Sequence, residues 1–294
     1  MTWLVTGAGG QVGSVLLRLL AFRQEPAIGV VSPAGPAPEG ARCERLDLAD
    51  ERAARALLER CRPRVIVHVA ALASVAAAAR DPAAAHQMNA VVTEHLARLA
   101  HEHGARFVYT STDMVFDGQR APYAEHDAPE PGTAYGRSKL AGERATLSWQ
   151  AHVVVRLPLL YGVPAVARQT TFLDQMAALR EQRPLSLFDD EWRTPLWLED
   201  AARALIRIAR SSEAGVLHLA GPERLSRLQM GRVLAHALGV ESPTIHAIPR
   251  SAVPALEARP RDLSLSAARY TSLFGEAPGR RMAEAIGEIC RARA

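Results

Sequence analysis

The sequence predicts an α/β protein: a doubly wound parallel sheet with a smaller mixed α/β lobe. Three observations predict it. Short apolar runs alternate with stretches of helical periodicity. A glycine set, Gly7, Gly10 and Gly13, stands where the first run meets the first helix. Small and hydroxyl residues, Ala70-Ala71 and Ser111-Thr112, follow two later runs.

The first run is Met1 to Thr6, whose Trp3-Leu4-Val5-Thr6 is β-prone. Val12, Val15, Leu16, Leu19 and Leu20 then recur at helical spacing, so the glycines occupy a strand-to-helix turn. Such a turn lets the backbone approach a pyrophosphate, with amide N–H groups at the helix N-terminus meeting its charge. Gln11 and Val12 would lie under the phosphates. This is a Rossmann-like dinucleotide context, although the spacing is Gly-x-x-Gly-x-x-Gly and an ordinary glycine turn is the competing reading.

Ala27 to Ser32 reads as the second strand, followed by a Pro/Gly-rich loop from Pro33 to Gly40 and then Leu46-Asp47-Leu48. Glu51 to Arg60 is helical, Val65 to Ala70 is a buried strand, Ala83 to His103 is helical and Arg106 to Thr110 is a strand. A helix over Tyr135 to Leu147 precedes an apolar strand, His152 to Leu157, and Gly215 to Ala220 is the last strand. Right-handed crossovers put the strands' carboxyl ends on one edge, so three loops converge on one crevice. The dinucleotide domain is assigned residues 1–162 and 188–220. The smaller substrate-binding lobe takes 163–187 and 221–294, segments that read as helical and irregular. No internal repeat is visible.

With 294 residues, 48% of them hydrophobic, the chain can bury a full core. Its formal charge of +4 comes mostly from dispersed arginine, without the basic runs of nucleic-acid or membrane-surface binders. Cys43, Cys61 and Cys290 are widely spaced, which indicates neither a disulfide framework nor a zinc site, and no metal is expected. The expectation is a cytoplasmic protein: the first strand leaves no room for a signal peptide, and no apolar stretch approaches the roughly 20 residues of a membrane span.

Tyr135 and Lys139 are four apart on one helix and share a face. A phenol near pKa of about 10 is a poor acid at neutral pH, and a neighbouring ammonium is expected to lower that value, making proton exchange with a carbonyl or alcohol oxygen practicable. Lys139 can also hold a cofactor ribose. Thr112, at a strand end, supplies a hydroxyl for the same oxygen, with Ser111 the less favoured neighbour. Taken alone, a Tyr-x-x-x-Lys pair is more often a helix surface pair.

The order of motifs resembles the extended short-chain dehydrogenase/reductase family over essentially the whole chain, and within it the dTDP-4-dehydrorhamnose reductase branch. The segments that carry the resemblance are Thr6-Gly-Ala-Gly-Gly-Gln-Val-Gly13, Leu46-Asp-Leu48, Pro63-Arg-Val-Ile-Val-His-Val-Ala-Ala71, Ser111-Thr-Asp-Met-Val-Phe-Asp-Gly118, Pro122-Tyr-Ala-Glu125 and Tyr135-Gly-Arg-Ser-Lys-Leu-Ala-Gly-Glu143. The resemblance implies Tyr135 as proton donor, Lys139 as its electrostatic partner and ribose ligand, and Thr112 as carbonyl hydrogen bonder. It also implies Asp47 and Leu48 near adenine, and Ala70 and Ala71 lining the cofactor through their backbone. Asp113 and Met114 join Thr112 on the substrate side, and a family tendency towards dimers allows a homodimer.

There are departures. The branch's Val-Asp pair is replaced by Ser74-Val75 and a run of alanines, and its Arg-Thr-Ser-Trp run by Arg156-Leu157-Pro158-Leu159. Asp189-Asp-Glu-Trp-Arg-Thr-Pro195 stands in place of another segment and is closer to other nucleotide-sugar members. Arg193, Arg259 and Arg261 fall in stretches that face substrate in the family, where guanidinium forks suit a diphosphate, and Arg259 is favoured first. His68, inside an apolar strand, reads as a hydrogen-bonded core histidine, and His86, His95, His101 and His103 as helix surface. Asn89 matches a family asparagine and is a minor candidate.

The second strand ends Val30-Val31-Ser32 without the acid that would hold a free ribose hydroxyl, which favours NADP(H) over NAD(H), with Arg42 or Arg45 available to a 2′-phosphate. The function expected is reduction of a keto group on a nucleotide-sugar. Two alternatives stand beside it: a nucleotide-sugar epimerase using bound NAD, and a non-catalytic cofactor-binding subunit resembling the methionine adenosyltransferase β subunit. Dehydration is disfavoured because Met114 follows Asp113.

Overall fold

The computed structural model describes residues 2–292; Met1, the start of the first expected run, lies outside them. Strand β1 (Trp3–Thr6) leads through the glycine turn into α1 (Gln11–Phe22), and β2 (Ala27–Val31) follows. A third strand, β3 (Cys43–Arg45), was not foreseen: it is a short, polar edge segment recognisable only by its pairing with β2. Leu46-Asp47-Leu48 comes just beyond its end.

Helix α2 (Glu51–Cys61) is capped by the Asp50 carboxylate on Ala53 N, and β4 (Val65–His68) follows. The helical stretch expected from Ala83 begins with α3 (Val75–Arg80) and α4 (Pro82–His86), then passes through one π turn, Gln87–Val91, into α5 (Val92–Glu102). Next come β5 (Arg106–Thr112), the 3-10 turn Asp113–Val115, α6 (Ala134–Leu147), β6 (Val153–Leu157) and β7 (Leu160–Tyr161). The chain continues through α7 (Thr171–Arg180), β8 (Leu185–Phe188), β9 (Trp192–Arg193), β10 (Leu196–Trp197), α8 (Leu198–Arg210) and β11 (Gly215–His218). It ends with β12 (Leu225–Ser226), α9 (Arg227–Ala237), β13 (Ile245–Ile248), α10 (Ala268–Phe274) and α11 (Met282–Arg291).

Seven strands form one parallel sheet in the order β11-β6-β5-β4-β1-β2-β3. Alternate side chains of β1 settle its two faces: Trp3 and Val5 join a core with α1 and α8, whereas Leu4 joins one with α2 and α5. Burial on both sides explains why these strands read as unbroken apolar runs rather than alternating ones. The order reverses between β1 and β4, which places the crevice at the carboxyl ends of those strands.

The segments read as helical and irregular contain short strands as well. β8 pairs in parallel with β13, and β9 pairs antiparallel with β12, so residues far apart in sequence share small ribbons beside the crevice. A reciprocal capping box, Ser226 with Gln229, starts α9 at that edge.

Candidate active site

Gly7 takes φ +65°, and a Cβ there would lie 2.6 Å from Ala70 N, so only glycine lets the end of β4 pack against the turn. A Cβ at Gly13 would meet Gly7 O at 2.3 Å. Gly10 caps α1 without any side-chain acceptor, and the first turn of α1 has no acid. Its end amides therefore remain open to an outside anion. This cradle fits a dinucleotide pyrophosphate.

The turn forms one wall of a cavity of about 430 Å³, which is also lined by Gln11, Val12, Asp47, Leu48, Ala70, Ala71, Ser111, Thr112, Tyr135 and Lys139. Met88, Pro158 and Arg168 line it too. The exposed Arg168 was not anticipated; its guanidinium lies 3.5 Å from Gly9 O, brought there by a loop with no local pattern to reveal it. The Pro33–Gly40 loop folds onto the same place, with Pro36 O against Gly9. Ser32 lines the cavity, but Arg45 is turned away: it donates to Pro33 O at 3.0 Å and Gly35 O at 2.8 Å. Neither Arg42 nor Arg45 is among the lining residues.

Thr133 caps α6 by accepting from Gly136 N at 3.1 Å, placing Tyr135 in the first turn. A Cβ at Gly136 would lie 2.1 Å from Met114 O. That close packing of α6 on the 3-10 turn brings Thr112 to Tyr135, while Met114 itself is not among the cavity-lining residues. Thr112 Oγ1 donates to Asp113 Oδ1 at 3.0 Å and accepts from Met114 N at 3.2 Å.

The expectation that Lys139 lowers the phenol's pKa does not hold. Burial pushes Tyr135 up to about 12, the Asp113 charge adds to the rise, and the Thr112 hydroxyl opposes it. Desolvation dominates at the phenol, and the same burial weakens the ammonium that was to oppose it: Lys139 is 2% exposed. Burial pulls Lys139 down to about 7, against the attraction of Glu143. Asp113 is raised to about 6 by burial, opposed first by Arg193, and its Oδ2 is buried without a hydrogen-bond partner.

Arg193 is not a free fork. It is buried, with Nε 3.8 Å from Asp113 Oδ2 and Nη2 3.4 Å from Glu191 Oε1. Arg227, unforeseen, places Nε 3.8 Å from the same Glu191 oxygen; burial lowers its pKa, and the charges of Arg193 and Arg259 add to the depression. Arg259 stacks over Phe188 at 5.1 Å, its Nε buried and without a hydrogen-bond partner. Arg193 and Arg227 thus share the carboxylates of Asp113 and Glu191 next to Thr112, with the Arg259 charge acting on Arg227. Arg261 is exposed.

His68, read as a core histidine, and Asn89, the minor candidate, are both tied into the surroundings. His68 Nδ1 lies 2.7 Å from Thr6 Oγ1 and Nε2 lies 3.1 Å from Thr93 Oγ1, and burial drives its pKa down to about 3. Asn89 holds Leu72 N and O and donates to Ser138 Oγ, which in turn donates to Tyr135 O. Among the described residues no cluster of His, Cys, Asp or Glu has the makings of a metal site, and no helix is long and apolar enough to cross a membrane.

Comparison with known proteins agrees with the resemblance carried by the motifs. The chain is 32% identical over 263 residues to a dTDP-4-keto-6-deoxy-D-glucose reductase of Streptomyces niveus, covering 88% of this chain and 86% of that one. It is 30% identical over 289 residues to methionine adenosyltransferase 2 subunit beta of Bos taurus, covering 92% and 81% respectively. A solved dTDP-4-dehydrorhamnose reductase of Bacillus anthracis, in complex with NADP, superposes with a TM-score of 0.87 at 23% identity over 99% of each chain, which shows the shared fold. The RmlD substrate binding domain model matches residues 1–292, and the chain belongs to that family.

Proposed function

We propose that this chain is a nicotinamide-dependent oxidoreductase of the extended short-chain dehydrogenase/reductase type that reduces a keto group on a nucleotide-activated deoxysugar. The observation that carries the reading is the convergence of Thr112, Tyr135 and Lys139 on the cavity that the glycine cradle also lines. The reductase relative at 32% identity supports the same chemistry.

In this reading Gly7, Gly10, Gln11, Val12 and Gly13 hold the pyrophosphate, Asp47 and Leu48 border the adenine, and Ala70 and Ala71 flank the cofactor. NADP(H) is favoured over NAD(H), supported by the absence of an acid after β2, where Ser32 stands. A bound nicotinamide supplies the hydride. The phenol of Tyr135, protonated at neutral pH, delivers the proton from Oη to the carbonyl oxygen. Thr112, its hydroxyl proton turning from Asp113 Oδ1 to that oxygen, steadies it as negative charge develops. Donation leaves a phenolate in a buried place, and the Lys139 ammonium on the same helix face offsets that cost. Arg227 and Arg259 draw the substrate's diphosphate, while Arg193, already paired, holds Asp113 and Glu191 in place.

A second reading, a cofactor-binding subunit without turnover, is favoured by the 30% identity to methionine adenosyltransferase 2 subunit beta and by Leu157-Pro158 standing where the reductase branch has its aromatic run. One experiment separates the two. Purified protein is titrated calorimetrically with NADPH and NADH, dTDP-4-keto-6-deoxy sugars are added, and reduced-nicotinamide absorbance is followed. Oxidation that disappears in Tyr135→Phe supports the reductase; tight binding without oxidation favours the subunit; absence of binding overturns both.

A further inference from the structure

We propose that Glu257 is a positioning residue that ties the substrate side of the cleft to the first turn of the helix carrying Tyr135. The inference rests on the reductase reading for its kinetic arm. Glu257 belongs to a strap that crosses from the small ribbons to α6. Its Oε1 and Oε2 accept from Ala134 N at 2.8 and 3.1 Å, and Arg137 Nη2 donates to Oε1 at 3.1 Å. Ala134 immediately precedes Tyr135 and is the first residue of α6, so its N–H has no acceptor within the helix. A residue more than a hundred positions away satisfies it.

Beyond Glu257 the strap is held on the substrate side. Arg259 stacks on Phe188 within the guanidinium cluster. Pro260 fits against Gly118, where a Cβ would come within 2.9 Å of it, and Trp192 N donates to Arg261 O at 2.8 Å. Before Glu257 the backbone is pinned again, with Arg250 N donating to Asp190 Oδ1 at 2.7 Å. Residues 251–256 between these anchors are exposed, Leu256 by 67%, and contribute nothing to the described hydrophobic clusters. The Glu257 carboxylate is thus the polar link through which a displacement of Arg259 by a bound anion reaches the helix end that aims the phenol.

Amide exchange reads this link directly, because protection of Ala134 N–H depends on Glu257. Exchange is measured by NMR on the full chain as wild type, Glu257→Ala and Glu257→Gln, with and without saturating dTDP, whose binding is checked by calorimetry. Without ligand, the Ala134 amide should exchange about tenfold faster in Glu257→Ala, and Glu257→Gln, which keeps an acceptor oxygen, should recover most of the protection. In wild type, dTDP should slow exchange across residues 134–137, and that response should vanish in Glu257→Ala. In turnover, Glu257→Ala should lower kcat about fivefold or more while the NADPH Kd stays within about twofold, with Glu257→Gln restoring at least half. Unchanged Ala134 exchange in Glu257→Ala overturns the proposal, as does a wild-type response to dTDP that survives the substitution, or a loss confined to KM. Should wild type reduce no 4-keto sugar nucleotide, the reductase reading fails while the two exchange comparisons still decide the link. Absence of dTDP binding removes the coupling to substrate.

Discussion

The ammonium of Lys139 lies 4.2 Å from the centre of the Tyr109 ring, on the face of α6 that also carries Tyr135. An aromatic face and one nearby carboxylate, Glu143, take the place of water around a side chain that is 2% exposed. Burial is the larger influence, so this cation is held at a cost that a bound anionic cofactor would offset.

Lys139 therefore makes stability depend on pH. Its pKa falls from 10.5 to about 7 on folding, so between those values the unfolded chain binds more protons and stability increases with pH. Stability from this group is fully present above the unfolded value and is lost as pH falls through about 7. Denaturant unfolding of the ligand-free protein from pH 7 to 9.5 should show a rising contribution, limited to about 1.4 kcal/mol per pH unit, that is absent from Lys139→Met. Parallel curves for the two proteins would contradict the assignment.

Tyr135→Phe removes the proton donor while keeping a partly buried ring on the cavity wall. The substitution should lower kcat about a hundred- to ten-thousand-fold and leave the NADPH Kd within a few fold. Single-turnover absorbance together with calorimetry checks both halves. A variant that keeps kcat would remove Tyr135 from the chemistry.

Glu143 and Arg156 form a buried two-toothed pair, at 2.9 and 2.8 Å, behind Lys139. Arg156 also stacks over Phe116, 5.0 Å from its ring centre. Glu143→Ala leaves that guanidinium buried and unpaired and should destabilise by about 3–5 kcal/mol. Glu143→Ala/Arg156→Met, which removes both charges, should recover much of the loss. Chemical denaturation of the three proteins decides it, and equal stability of the single and double variants would show that the pair is not what matters.

Arg168 is exposed, so Arg168→Ala should leave thermal stability unchanged. Its place at the glycine turn predicts weaker dinucleotide binding, about fivefold in Kd at low salt, with the difference shrinking as salt rises. Calorimetric titrations at two ionic strengths test this. An affinity unaltered at low salt would place Arg168 outside the cofactor site.

What the sequence determined by itself was local. The glycine turn, the unbroken apolar strands and the Tyr135–Lys139 spacing depend on residues within a few positions of one another, and periodicity or steric demand exposes them. From these followed the parallel sheet and the crevice at its carboxyl edge. Only tertiary structure decided what depends on a distant partner. The strand Cys43–Arg45 is too short and polar to announce itself and exists through β2. Arg168, Glu191 and Glu257 come from loops and Arg227 from the start of α9, with no sequence spacing to link them, and the small ribbons of β8 with β13 and β9 with β12 fold beside the cleft. The charge state of the site was equally hidden. Spacing puts Lys139 beside Tyr135, but burial, which exists only in the folded molecule, leaves the phenol protonated and the ammonium weakened.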